Sequence, residues 1–493
     1  MGVNRMKRRT TKLLHKLKEL KQEAVEKDHS ASFQKQITEN FSGCDDLVQR
    51  TFPELNITII YFLHMVNENL LEMDLLVPIY HASDETRLPF LKRSNFHKTD
   101  DEKKVIDGIL NGEAAVFHHD HAYLINISGP KQREIQPSET ETTITGPHEG
   151  FVESSEINLS MIRRRVKSAH LKMNEIPVGE VSKGSVFVLH IKGIANDEVV
   201  GDMINRIEKI EIDAVYDAHM LTQLIEDQPN ALFPQFMLRE RPDAIAAALV
   251  EGKIVVVVDG SPSVIISPSS FFDFFQTGDD YYQRWITGTA TRLLRFGAFI
   301  ITIGFTALYV SVTTFQYEMI PQSLLTTLAG SRSKVPFNPL YEALIMEITL
   351  EFLREAGARL PTKVGQTIGI VGGIVIGQAA VQAGITSNVL IIVVASSAIT
   401  SFVVPSYVMS ASIRLARFGL ILLAGLLGNL GIVIGVILLV IHLSSLTSAG
   451  APYLAPLSPF FRKDWVDFLL RAPYSLMKTR PALPRTSNKK RKQ

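Results

Sequence analysis

FGAFIITIGFTALYVSVTTFQY, residues 296–317, carries no charged side chain, and as a helix it is long enough to cross a hydrocarbon layer of about 30 Å. It predicts the first span of a membrane domain. Working outward, Val364–Ile413 is a second uncharged stretch, bounded by Lys363 and Arg414. That stretch is too long for one span and suits two, 364–383 and 388–412, with the small and polar run AGITSN at 383–388 as the turn. Phe418–Leu443 supplies a further span, 418–443. Arg292 and Arg295 precede the first span, and Tyr281, Tyr282 and Trp285 suit the headgroup level, which places the preceding region in the cytoplasm.

Between the first two uncharged stretches lies NPLYEALIMEITLEFLREAG, residues 338–357. On a helical wheel Glu347, Glu351 and Glu355 fall on one side at i, i+4 and i+8, with Ile345, Met346, Phe352, Leu353 and Ala356 opposite. An amphipathic helix over 338–358 either lies in the interface with its acids in water or lines a polar path for cations. The spacing alone leaves both open. Taking it as interfacial or re-entrant gives four spans and returns the C-terminal Lys489, Lys490, Arg491 and Lys492 to the cytoplasm.

Gly365, Gly369, Gly373 and Gly377 recur every fourth residue, a stripe that lets another helix backbone approach closely, within or between subunits. Ala424, Gly428, Gly431 and Gly435 make a similar stripe in the last span. Pro405 interrupts the span before it and predicts a helix kink there.

The rest of the chain has another character. Over 493 residues the net charge is +1 and 46% of residues are hydrophobic, which excludes a wholly disordered chain and argues against a strongly basic nucleic-acid binder. The mixed charges of a soluble surface are concentrated before residue 296. Strand-like Ile57–Leu63, helical Asp100–Leu110 and a hairpin over Ala114–Ile127 predict one α/β subdomain. Residues 132–150, rich in Glu, Thr, Ser and Pro, read as a connector. After a basic helical stretch with Arg163, Arg164 and Arg165, the pattern restarts with the strand Ser185–Ile191 and a helix from Asp197. LVEGKIVVVVDGSPSVII (249–266) reads as helix end, glycine cap, strand, Asp-Gly turn and strand. ILNGEAAVFHHDHAYLIN (109–126) follows the same plan, with Asn111-Gly112 matching Glu251-Gly252, so the two subdomains read as a diverged internal repeat.

The expected fold class is therefore an α/β soluble N-terminal region of two similar subdomains followed by an α-helical multi-pass membrane domain. Its divisions are a basic extension (1–45), subdomain 1 with connector (46–165), subdomain 2 (166–285), the membrane domain (286–445), and an interfacial segment with a basic tail (446–493). In the extension, Arg5, Lys7, Arg8 and Arg9 are followed by no apolar run of signal-peptide type. Leu13, Leu17, Leu20 and Ala24 recur at helical spacing among lysines there, as in a basic helix lying on a membrane or a solvated tail.

Chemistry-bearing patterns are sparse. Cys44 is the single cysteine and can form neither an internal disulfide nor a cysteine-cluster metal site. His118, His119, Asp120 and His121 are ligand types crowded into a predicted hairpin turn, which reads as a polar turn and not a metal site. No phosphate-binding loop, nucleophile elbow or zinc-protease motif occurs, so no catalytic residue and no cofactor is assigned.

The residues also resemble a known family, the A subunit of GerA-type spore germinant receptors. FPQFMLRERPD (233–243), VDGSP (258–262) and FFDFFQTGDDYYQRW (271–285) carry the resemblance in the soluble part, with Gly146-Pro147, Gly150-Phe151 and Arg163 to Arg165 upstream. LYVSVTTF (308–315), the Glu-rich helix ending in EAGARLP (355–361), the glycine span and SFVVPSY (401–407) carry it further. The resemblance covers roughly residues 45–470. It implies a non-enzymatic subunit in the spore inner membrane that works with a transporter-like B subunit and a lipoprotein C subunit. It also implies homo-oligomerisation into a cation-release conduit, which favours Glu347, Glu351 and Glu355 as conduit-lining residues. The competing reading is a solute transporter subunit that moves its own ligand, for which discontinuous helices and paired intramembrane polar sites are expected.

Overall fold

The computed structural model describes residues 33–81, 89–119, 121–129, 138, 141, 143–361, 373 and 375–491. Its N-terminal half contains two five-stranded antiparallel sheets. The first has β1 (Leu47–Phe52), β2 (Ile57–Phe62), β3 (Phe96–Thr99), β4 (Glu113–His118) and β5 (His121–Asn126) in the order β1-β2-β4-β5-β3. The second has β6 (Leu171–Val178), β7 (Gly184–Ile191), β8 (Met237–Arg239), β9 (Ile254–Val258) and β10 (Val264–Ser267) in the order β6-β7-β9-β10-β8. Strand for strand, the two orders coincide.

The central hairpins show why. Helix α1 (Glu102–Leu110) gives way to β4 through Gly112, with φ 89°; further on, a helix over Pro242–Glu251 gives way to β9 through Gly252, also with φ 89°. Only a glycine holds that left-handed conformation without strain. Val116 then faces Tyr123 across the first hairpin and Val256 faces Ile265 across the second.

Each sheet is covered on both faces. In the first, Ile37 and Phe41 from the chain at 33–41, with Val105 and Ile109 of α1, bury Ile60, Phe62 and Leu124. On its other face Leu71, Leu75 and Ile79 of a helical segment, 68–80, bury Ile59, Tyr61 and Val116. In the second, α2 (Ser155–Arg165) and α5 (Pro242–Glu251) cover one face, α3 (Asp197–Glu208) and α4 (Ala218–Ile225) the other. The two units are joined by a buried bidentate ion pair, Arg163 Nε and Nη2 on the Asp46 carboxylate at 2.8 and 2.7 Å.

The remainder is mostly helical: α6 (Trp285–Thr314), α7 (Gln322–Arg332), α8 (Pro339–Arg359), a helix over 375–382, α9 (Asn388–Ser401), α10 (Tyr407–Leu427) and α11 (Asn429–Ser445). Polar caps start several of them. Asn338, Ser387 and Ser406 accept from the amides of Leu340, Leu390 and Met409, satisfying donors that a helix start leaves unpaired.

The helix boundaries differ from the sequence reading. Expected span 296–317 falls mostly within α6, which begins before it at Trp285 and ends at Thr314. Expected span 388–412 is two helices, because the chain turns at 402–406, where Pro405 supplies no amide donor; Pro405 therefore marks a break and not a kink. Expected span 418–443 is also divided. At Gly428, with φ 62°, the chain reverses and α11 packs back along α10.

Residues 446–491, read as an interfacial segment and basic tail, pack instead against the second sheet unit. Phe271 N donates to Tyr453 O at 2.8 Å, Ser487 N to Ile194 O at 3.1 Å, and Arg491 pairs with Glu251 at 3.3 Å. Arg292, fully buried near the start of α6, holds this junction together: it meets Asp280 at 3.3 Å, Asp467 at 2.9 Å and the Phe468 carbonyl at 3.1 Å. Phe275 stacks on Phe296, and Phe271 meets Phe299 edge to face. Beside them Tyr282 donates to Asp243, which Arg241 also grips. Burial and this bond push the Tyr282 phenol up to about 12. Burial pushes Asp243 upward, but bonds from Arg241 and Tyr282 outweigh it and hold its carboxyl below the usual range.

Candidate functional site: a charged cluster inside the helical region

Helix α6 is the axis of the helical region, and its contacts fix the direction of every neighbour. Thr302 meets Thr400 at 2.9 Å and Tyr309 meets Ser387 at 3.0 Å, so α9 runs antiparallel to α6. Ser311 meets Asn429 at 2.7 Å, while Leu443 packs in the core of the second sheet unit, so α11 is antiparallel too. Helix α10 runs parallel to α6, since Met409 and Ile413 share that core and Ala424 lies at the far end with Val310. Helix α8 is antiparallel: Leu340 touches Gly425 at the far end, Glu347 meets Thr306 midway, and Arg354 meets Ser401 near the sheet.

The carboxylate helix thus lies among the others and not beside them. Glu347 is fully buried; Thr306 donates to its Oε1 at 2.9 Å and Arg417 approaches its Oε2 to 2.8 Å. Arg417, also buried, donates to Ser397 Oγ at 3.0 Å, and Ser397 in turn donates to the Thr302 carbonyl at 3.0 Å. Glu351, 29% exposed, receives three guanidinium groups on one oxygen: Arg354 at 3.1 Å, Arg417 at 3.2 Å and Arg414 at 3.3 Å. Glu355, 60% exposed, pairs among the described residues with Arg359, at 2.6 Å. The three acids therefore run from the interior to the surface. Each i+4 step turns about 40° further around the helix, so a row that looks straight on a wheel winds across its surface.

A second buried carboxylate sits at the far end. Glu342 accepts from the Ser387 amide at 2.6 Å and from Thr386 Oγ1 at 3.2 Å, with Arg332 at 3.8 Å. An anion at the first amides of α9 is favoured by the unpaired donors and by the helix dipole. Sequence reasoning missed Glu342, Thr306, Ser397 and all three arginines as members of the site. The available signal was the count of cations, Arg354, Arg414 and Arg417, inside otherwise apolar flanks.

Such a cluster stiffens by pairing. Moving a single ion out of water costs several kcal/mol, so removing one partner is far worse than removing both. It ties α6, α8, α9 and α10 at one level, and any rearrangement of those helices must re-pair the arginines.

The predicted packing glycines divide. Gly365 and Gly369 lie outside the described residues. Gly373 and Gly377 have nothing within 4 Å of where a side chain would begin, so nothing described in this chain occupies their open side. In the second stripe the close approach is real: a side chain on Gly431 would begin 1.9 Å from the Leu423 carbonyl oxygen, and one on Gly435 would begin 2.4 Å from Leu420. In the first hairpin turn the His118 and His119 rings lie 4.3 Å apart, His118 faces the Asn56 carbonyl at 3.2 Å and His121 pairs with Asp100 at 2.8 Å, while Asp120 lies outside the described residues.

Among the described residues, two helices, α6 and α10, are long and apolar enough to cross a membrane. Residues 35–483 match the family described as Bacillus/Clostridium GerA spore germination protein. The chain belongs to the GerA family. It is 45% identical over 443 residues to spore germination protein GerQA of Bacillus cereus, covering 88% of each chain. It is 39% identical to spore germination protein KA of Bacillus subtilis, covering 87% of this chain and 80% of that one. It is 38% identical to the uncharacterized membrane protein YfkQ of the same species, covering 89% and 88%. A solved structure, the N-terminal domain of the A subunit of the Bacillus megaterium spore germinant receptor GerK3, is 26% identical with TM-score 0.37, covering 48% of this chain and 94% of that one. The GerA match includes the whole charged cluster, from Thr302 to Arg417.

Proposed function

We propose that this chain is the A subunit of a nutrient germinant receptor, that its helical region crosses the spore inner membrane six times, and that several copies together form a cation-release conduit. The helix directions support the crossings. Helix α6 leads away from the sheets, α8 returns, the chain through 375–382 leads away to Gly384, α9 returns, and α10 and α11 lead out and back. The α/β region and the tail then share the cytoplasmic side, where Arg284, Arg292, Arg295, Lys489 and Lys490 are favoured.

The observation that carries the assembly is the open face at Gly373 and Gly377, which suits close packing by a neighbouring copy. Glu355, paired among the described residues with the surface Arg359, is the member of the carboxylate row placed to face a path between copies, while Glu347 and Glu351 are held within one subunit. The transporter-like B subunit and the lipoprotein C subunit complete the receptor, and the work of this chain is non-enzymatic. The turns at 402–406 and Gly428 join antiparallel helices at their ends, so nothing described favours a transporter reading, which needs breaks at mid-depth.

Proteoliposomes holding this chain with its two partners should release trapped potassium when nutrient is added, and Glu355→Gln should reduce the flux. Equal flux with and without this chain would remove the conduit assignment.

A further inference from the structure

The C-terminal segment packs against the second sheet unit through Tyr453, Leu454 and Phe468, and its opposite side is exposed. Leu457, Phe460, Trp465 and Leu470 are 48%, 64%, 37% and 53% exposed. Neighbouring rings cover part of this surface: Trp465 lies 5.5 Å from Phe460 and 5.1 Å from Phe468. Arg462 and Lys463, in the same stretch, are exposed too. Its acids turn inward, Asp464 to the Ala482 amide at 2.8 Å and Asp467 to Arg292 at 2.9 Å. The outer surface is therefore apolar and basic, the pairing that suits a boundary between anionic headgroups and acyl chains.

Its height along α6 matches that boundary. Arg292, which meets Asp467 and the Phe468 carbonyl, precedes Phe296 by about 6 Å along the helix axis. Phe296 begins the uncharged span, and a headgroup layer of roughly 5–8 Å lies outside a hydrocarbon core. Asp467 and Phe468 thus stand at headgroup level. A row of rings leads outward from there: Phe296 lies 6.0 Å from Phe272, and Phe272 lies 4.3 Å from Phe468, which meets Trp465 and through it Phe460. Aromatic rings with cations beside them are what the interface of an anionic leaflet favours.

We infer that the outer face of residues 457–470 is a lipid-binding surface, on which Leu457, Phe460 and Trp465 rest against the acyl-chain boundary and Arg462 and Lys463 hold anionic headgroups. The second sheet unit is then seated on the membrane at two places, α6 and this segment, which fixes its tilt relative to the bilayer. The inference rests on the reading that α6 crosses a membrane.

The chain has two tryptophans, Trp285 and Trp465, so Trp285→Phe leaves Trp465 as the sole indole. The full-length variant, reconstituted in vesicles of phosphatidylglycerol and acyl-brominated phosphatidylcholine, reads the contact as fluorescence quenching. Trp465 should be quenched several-fold, and more by bromines near the glycerol than by bromines near the chain ends. Leu457→Ser with Phe460→Ser should remove most of that quenching; Arg462→Glu with Lys463→Glu, or omission of phosphatidylglycerol, should weaken it. Phe305, 39% exposed on α6, supplies the control: Phe305→Trp in a chain with Trp285→Phe and Trp465→Phe should be quenched most by bromines near the chain ends. A quenched indole at 305 with an unquenched Trp465 overturns the lipid surface and leaves the crossing of α6 standing. If neither is quenched, the crossing falls and takes the lipid surface with it. Quenching of Trp465 that the loop variants leave unchanged also overturns the inference, as does shielding of Trp465 that appears only when partner subunits are added, which gives the surface to a protein.

Discussion

Arg417 Nη2 lies 2.8 Å from Glu347 Oε2, with both side chains shut away from solvent. The contact is close but not aligned as a hydrogen bond, and among the described residues neither that oxygen nor Arg417 Nε has a hydrogen-bond partner. Attraction between the two charges, together with the aligned bonds to Thr306 and Ser397, offsets their desolvation.

Arg417→Met should therefore destabilise the folded chain by about 3–5 kcal/mol, the range for stranding one member of a buried pair. Adding Glu347→Met should recover most of that loss. Thermal unfolding of the detergent-solubilised protein, followed by loss of the monodisperse peak, checks both; equal stability of single and double variants would contradict the pairing.

The hairpin between α10 and α11 depends on a backbone contact that no rotamer change can relieve. Gly431→Ala should cost about 1–3 kcal/mol as an overpacked site, toward the upper end because the obstacle is the Leu423 carbonyl. Gly377→Ala, facing open space, should leave unfolding of the isolated chain unchanged. Under the assembly proposed above, Gly377→Leu should lower the oligomer fraction on size exclusion without lowering the yield of folded monomer.

Six crossings make a definite labelling pattern. In a Cys44→Ser background, cysteine at the exposed Ala383 should react with a membrane-impermeant maleimide added outside, and cysteine at Ser458 only after permeabilisation. The same side for both would refute the proposed count of crossings.

Asp243 gives a pH signature. Its folded pKa is depressed, so its contribution to stability is present above the unfolded value of about 4 and is lost as pH falls through the lower folded value. Tyr282→Phe removes one of the bonds that depress it. The variant should be less stable by about 1 kcal/mol near neutrality, discounted because Tyr282 is partly exposed, and the difference should shrink below pH about 4. Chemical denaturation at several pH values reads this directly.

Local signals carried the α/β region far. Gly112 and Gly252, each between a helix and an apolar strand, marked the two hairpins, because a left-handed residue before a strand leaves a strong trace in composition. The carboxylate row was legible as a row, but its surroundings were not: Arg417 is far from Glu347 in sequence, and hydropathy records an arginine as the end of a span, not as the partner of a distant acid. The reversal at Gly428 was hidden for a related reason. Both flanking helices are apolar, so a window across them reports one continuous run, and the asparagine that follows the glycine is a weak mark unless its bond to Ser311 is known.

The junction at Arg292 sets an order of events during synthesis. Asp280 is already in place when Arg292 emerges, but Asp467 and the Phe468 carbonyl follow only after every helix has been made. Until then the first helix sits on an unfinished socket. Ribosomes stalled before residue 467 would hold a chain that has every helix from Trp285 to Ser445 but lacks two of the groups that Arg292 meets.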